Sequence, residues 1–296
     1  MKYGVLILPE SRWSTAKEVW QRAEELGFDH AWTYDHLAWR SLRDSAWFGA
    51  VPTLTAAATV TRRIRIGTLI ASPNFRHPVP FAKDLLTLDD ISEGRLTVGI
   101  GAGSDGWDAT MLGQPPLSKR EKAARFEEFV ALLDHLLRAS TTTWQGQFYL
   151  ASGARTIPGC VQRPRIPFAI AATGSRGMTL AAKFGEVWVT TGDRTVEQPL
   201  DARDGAQAVH TQMVQLNEIC TQMGRDPASL RRLVLTGPSL RAGIESQQAF
   251  DDTVGYYTEI GVTDFVIHWP RQQEPFAADL KTFENIISRR LNADEG

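Results

Sequence analysis

The sequence is poor in cysteine, with two residues in 296, Cys160 and Cys220, neither in a C-x-x-C spacing. That excludes a disulfide framework and a cysteine zinc site, and it fits a reducing cytoplasm. There is no excess of one charge: 32 Lys and Arg stand against 34 Asp and Glu, for a net of −2. No broad basic field draws nucleic acid or an anionic membrane. No apolar run approaches the ~20 residues that span a bilayer. The run Tyr3–Pro9 is too short for a signal-peptide core with its flanks and reads as a buried strand. The six His are scattered, without HxH, HExxH or clustered carboxylates, so no metal is expected. No GxSxG offers an activated serine.

What is present is alternation. Short apolar runs rich in β-branched residues are each followed by a stretch of helical period. The predicted strands are Tyr3–Leu8, His30–Tyr34, Ile64–Ala71, Arg95–Gly101, Pro167–Thr173, Glu186–Thr191, Leu233–Gly237 and Asp264–Trp269. A long helix over Lys119–Arg138 carries an apolar stripe from Phe126 to Leu137. Length alone allows two domains or one barrel. Eight strand–helix units and no linker favour a single (β/α)8 TIM barrel over residues 1–296, in the α/β class. Continuous apolar strands suit a parallel sheet covered on both faces. Residues 139–165 break the alternation as an insertion, and Trp144–Tyr149 within it looks like a small hairpin. The tail Asn292–Gly296 reads as mobile.

In a barrel the chemistry lies just after each strand. The turn Thr173-Gly-Ser-Arg-Gly-Met178 is rich in glycine and opens a helix. Backbone N–H groups and the helix dipole could hold a phosphate there, with Arg176 adding charge; a plain tight turn is the other reading. The run Gly99-x-Gly101-x-Gly103 could admit a flat ring against the backbone, or be a strained turn. His36 could act as acid or base with Asp35 orienting it, or be a loop histidine held by hydrogen bonds. His77, before Pro78, reads as a cap. Trp39, Trp47, Phe48, Phe75, Trp107 and Trp269 fall near the barrel mouth and suggest an apolar substrate pocket, or ordinary packing.

These strand ends together resemble the bacterial luciferase-like monooxygenase superfamily, and within it the coenzyme F420-dependent oxidoreductases. The matching stretches are Ala31–His36, Ile64–Thr68, Arg76–Pro78, Thr87–Leu96, Gly99–Gly103 and Ala171–Gly174, and the likeness runs from about Tyr3 to Pro270. The resemblance implies hydride transfer between F420 and a small organic substrate, with an FMN-dependent monooxygenase as the alternative. It implies a cofactor phosphate at Thr173, Gly174, Arg176, Gly177 and Met178. A non-proline cis peptide at Leu69–Ile70 is implied behind the ring, with Ser72 and Asn74 on the same edge and Ala102 and Gly103 lining it. Asp35 would contact the cofactor, His36 would serve in proton transfer and Trp39 would stand beside it. Some sugar-phosphate dehydrogenases of the family carry a Glu acid/base where this chain has Ser104, which counts against that substrate and keeps a flavoprotein without turnover in play. A homodimer is implied, as is a separate flavin or F420 reductase.

Overall fold

The computed structural model describes residues 1–192, 198–237 and 239–294. The strands are β1 (Lys2–Leu6), β2 (His30–Thr33), β3 (Arg65–Ala71), β4 (Leu96–Gly101), β5 (Thr141–Gln145), β6 (Leu150–Arg155), β7 (Phe168–Ala171), β8 (Val187–Thr190), β9 (Arg231–Leu235) and β10 (Asp264–His268). Eight of them close a parallel barrel in the order β1-β10-β9-β8-β7-β4-β3-β2. The helices are α1 (Trp13–Glu25), α2 (Ala50–Val60), α3 (Pro78–Ile91), α4 (Lys119–Arg138), α5 (Ser175–Phe184), α6 (Ala202–Gln222), α7 (Gln247–Glu259) and α8 (Leu280–Asp294). The expected TIM barrel is the observed fold.

Period two sorts the strand side chains. Val187, Val189, Leu233, Leu235 and Val266 join one cluster inside the barrel. Their neighbours Trp188, Val234, Phe265 and Ile267 join the larger cluster under the helices. Both faces of each strand are buried, which is why the strands read as unbroken apolar runs.

Helix starts follow local chemistry. Ser118 and Glu121 form a reciprocal capping box at α4. His77 Nδ1 accepts from the Val79 amide at 3.2 Å and Pro78 opens α3, so His77 is a cap. The insertion carries the antiparallel pair β5–β6. Glu128 of α4 organises its turn by accepting from the amides of Gln147, Phe148 and Tyr149 at 3.0, 2.9 and 2.9 Å. At the C-terminus α8 runs to Asp294, taking in the first three residues of the expected tail; Glu295 and Gly296 lie outside the described residues.

The N-terminal end of the barrel is sealed. His30 Nε2 bonds Asp264 Oδ1 at 2.9 Å, and Trp32 Nε1 donates to His30 Nδ1 at 2.7 Å. Arg231 pairs with Asp264, and the Thr263 hydroxyl donates to it at 2.6 Å. Burial pushes the Asp264 carboxyl up, but the bond from His30 and the nearby positive charge outweigh it and bring its pKa down to about 2. The space left among these groups is about 10 Å³, room for one water at most.

Candidate functional site

The opposite, C-terminal end holds a cavity of about 870 Å³. That is near the upper end of ligand pockets, roughly 300–1,000 Å³. Its wall runs from the end of β2 through β3, β4, β7 and β8 to β9. The barrel order sets β2 opposite β8 and β3 opposite β9 across the mouth.

After β2 the chain presents Tyr34 and His36 to the cavity. His36 Nδ1 bonds the Asp108 carboxylate. Asp108 lies in a short 3-10 turn, Trp107–Ala109, and also accepts the Leu37 amide at 2.6 Å. It is 4% exposed. The carboxylate thus fixes the ring and favours the proton on Nδ1, leaving Nε2 without a partner among the described residues. Asp35, expected to orient His36, does not. It points the other way, into a two-pronged pair with Arg76 at 3.0 and 2.7 Å. Burial pushes the Asp35 carboxyl up, and the Arg76 bonds pull against that.

Tyr34 stacks on Trp39 with ring centroids 5.2 Å apart, and Trp39 in turn stacks on Trp47. The Trp47 indole donates to the His36 carbonyl at 2.8 Å, so this aromatic layer also steadies the loop. Behind Tyr34 lies His268, whose Nε2 stands 2.8 Å from the phenol oxygen. Burial brings the His268 pKa down to about 3, against a hydrogen bond with the Thr236 backbone. The ring is therefore neutral, and its Nε2 is held by the Tyr34 hydroxyl.

The floor is made by β3 and β4. The Leu69–Ile70 peptide is cis, as the family resemblance implies. The β3–β4 register slips between Thr68 and Ala71. A Cβ on Gly99 would strike the Thr68 carbonyl, and one on Gly101 would strike the Ile70 side chain. Those two glycines exist for strand contact and do not reach the cavity. Gly103 does reach it, at φ +80°, where a Cβ would come 2.6 Å from the Asn74 amide. Asn74 itself stands behind the wall, donating to the Ser104 carbonyl at 3.0 Å and accepting from Arg125 at 2.6 Å. Leu69, Ile70, Ser72 and Ala102 line the cavity. Ser72 is 4% exposed, and its hydroxyl has no partner among the described residues.

Beyond β7, Thr173 and Gly174 lead into α5. Gly174 is the N-cap residue and supplies no side-chain cap. The first amides of α5, from Ser175 to Gly177, are at the wall with their intrahelical partners missing by construction. A Cβ on Gly174 would meet nothing within 4 Å, so this face is open. Gly177 has another reason: a Cβ there would come 2.8 Å from the Ala172 Cβ, and its absence lets the helix close on the strand. Met178 is fully buried in the core and does not line the cavity. Arg176 lines it but is half-exposed and doubly bonded to Glu127 at 2.8 Å.

The structure therefore brings His36, Trp39, Leu69, Ile70, Ser72, Ala102, Gly103, Thr173, Gly174, Arg176 and Gly177 to one cavity, and leaves Asp35, Asn74 and Met178 behind it. Of the mouth aromatics, Trp107 joins the wall, Trp269 packs on Phe283 and Phe48 is exposed. Ser104 is at the wall, while Asp105 pairs with Lys122 outside it. Sequence reasoning missed Asp108; its one signal was an acid in the loop after β4.

The luciferase-like monooxygenase family model matches residues 1–282, and the chain belongs to that family. It is 29% identical to an F420-dependent glucose-6-phosphate dehydrogenase of Beutenbergia cavernae, over 92% of each chain. Among solved structures it superposes on the coenzyme F420-dependent tetrahydromethanopterin reductase of Methanopyrus kandleri with a TM-score of 0.77, at 16% identity and 99% of both chains. A monooxygenase from Streptomyces bottropensis gives 0.75 at 21% identity, over the whole of both chains. Among the described residues no helix is long and apolar enough to cross a membrane.

Proposed function

We propose that this chain is a coenzyme F420-dependent oxidoreductase that moves a hydride between the deazaflavin and a small organic molecule. The observation that supports this most is the meeting of two features in one cavity. One is an uncapped, open helix start at Gly174–Gly177; the other is His36, backed by Asp108. The residues fit such a cofactor. The α5 amides are donors waiting for an anion, and the buried Ser72 hydroxyl on the floor lacks a partner among the described residues. Thr173, Gly174, Arg176 and Gly177 would hold the phosphate, with Met178 supporting the helix from below. Leu69, Ile70, Ser72, Ala102 and Gly103 would hold the ring, with Asp35 and Asn74 fixing the loops behind it.

A bound deazaflavin supplies the hydride donor or acceptor. The chain supplies proton handling and shape. His36 Nε2 gives a proton to, or takes it from, the substrate oxygen, while Asp108 holds Nδ1. Tyr34 and Trp39 keep water from that side. The α5 turn would hold the phosphate of FMN equally well. The alternative is thus an FMN-dependent monooxygenase served by a separate flavin reductase, and the monooxygenase neighbour favours keeping it. The two free, buried thiols suit a reducing cytoplasm, and sedimentation would test the homodimer.

Fluorescence titration with F420 and with FMN separates the two readings. Tight F420 binding is expected, and Gly174→Asp should weaken it about 100-fold by setting a carboxylate against the phosphate. Unchanged affinity in that variant would misplace the phosphate site. Binding of FMN alone would install the alternative.

A further inference from the structure

We infer that the second molecule in this cavity is uncharged: a neutral alcohol or carbonyl compound with an apolar ring or chain, and not a sugar phosphate. This rests on the proposed cofactor site and adds the substrate class to it.

The charges on the cavity wall cancel almost completely. Among the described residues, the cavity wall carries two arginines, two carboxylates and one histidine. Arg176 and Glu127 neutralise each other through two hydrogen bonds. His36 and Asp108 are bonded to each other. That leaves Arg40, an exposed residue on the rim, whose guanidinium lies 5.3 Å over the Trp39 ring. No lysine is on the wall among the described residues.

Away from the α5 turn, the lining includes Tyr34, Trp39, Leu69, Val189 and Leu235, which form part of the apolar cluster inside the barrel. The polar groups that join them, Ser72, Ser104, Thr191 and Ser239 among them, are uncharged hydroxyls, and two others are engaged. The Tyr34 hydroxyl donates to His268. The Thr190 hydroxyl donates to Gln212 at 2.6 Å and accepts the Gly192 amide at 3.0 Å. A phosphate dianion pressed against this wall would lose its hydration and, among the described residues, gain no cation but the rim Arg40 in return. A neutral, apolar body loses little and displaces water from aromatic and aliphatic surface. One polar atom is still catered for: a hydroxyl or carbonyl oxygen can meet His36 Nε2.

The test uses cyclohexanone and glucose 6-phosphate as probes, titrated into the protein with and without saturating F420. Binding is read by tryptophan fluorescence, since Trp39 and Trp107 both line the cavity, and by thermal shift. Cyclohexanone should bind, and glucose 6-phosphate should bind about 100-fold more weakly or not at all. Trp39→Ala should weaken cyclohexanone about tenfold. Should that variant fail to fold, Leu235→Ala, which shortens an apolar side chain on the β9 side of the wall, should also weaken cyclohexanone binding. Glucose 6-phosphate binding as tightly as cyclohexanone, and released by Arg40→Ala at the rim, would overturn the inference. If F420 does not bind but cyclohexanone does, and still responds to Trp39→Ala, the cofactor reading falls and the neutral pocket stands.

Discussion

The two ends of the barrel each hold a histidine bonded to a distant carboxylate, and they are built to opposite purposes. At the sealed end His30 meets Asp264, 234 positions away; at the open end His36 meets Asp108, 72 positions away. Both nitrogens of His30 are occupied, one by Asp264 and one by Trp32. Its side chain is 4% exposed, against 22% for His36. At His36 one nitrogen is anchored and the other is left over. The space beside the first pair is about 10 Å³ and beside the second about 870 Å³. Neither residue type nor the carboxylate partner separates a histidine locked into the fold from one open to a ligand. The spare nitrogen and the space in front of it do. His268 is the useful third case: it lies at the open end, yet it is buried behind Tyr34, which takes up its Nε2, and it does not line the cavity.

The largest effect expected is at His268. Its ring stays neutral in the fold down to about pH 3, while an unfolded histidine titrates near 6.5. Its stabilising contribution is therefore whole above pH 6.5 and is lost progressively as pH falls towards 3. The loss is on the order of 4–5 kcal/mol, at about 1.4 kcal/mol per pH unit. His268→Gln should flatten that limb of a stability–pH curve from denaturant titrations. A curve unchanged by the substitution would place the acid sensitivity elsewhere.

His36→Ala comes next. Turnover should fall roughly 10²- to 10⁴-fold while F420 affinity moves less than about threefold. Equal losses in both would make His36 a binding residue and remove the contrast with His30. His30→Ala should do the reverse, costing about 3 kcal/mol of stability by breaking a buried pair, with turnover per folded molecule unchanged. A catalytic defect there would show that the sealed end reaches the open one. The smallest effect is expected for Asp108→Asn. It keeps the shape of the 3-10 turn but removes the charge on His36 Nδ1, and should lower kcat roughly 10- to 100-fold with little change in KM. A loss confined to KM would remove Asp108 from its positioning role.

The barrel was legible in the sequence because strand–helix alternation is written in local period. The hairpin showed as a break in that period. The helix start at Gly174 was legible too, since glycines in a strand-to-helix turn imply exposed amides wherever the fold places them. What escaped was pairing across sequence. Asp35 sits next to His36 in the chain, but successive residues after a strand point to opposite sides, so the neighbour faces Arg76 and a residue 72 positions on faces the ring. The glycine run misled for a related reason. Gly99 and Gly101 answer to β3, a contact that only the closed sheet reveals.

Those two glycines divide the site into parts with different freedom to vary. A side chain at Gly99 collides with the Thr68 backbone carbonyl, which cannot step aside, while one at Gly101 meets the tip of the Ile70 side chain, which must turn away. The floor is thereby closed to change at Gly99 and open at Gly101 only together with a rearranged Ile70, whichever molecule is handled. Trp39, Val189 and Leu235 face the cavity from other elements. A descendant of this chain acquiring a new substrate would keep its floor and rewrite that wall, and a directed library for the same purpose should be drawn the same way.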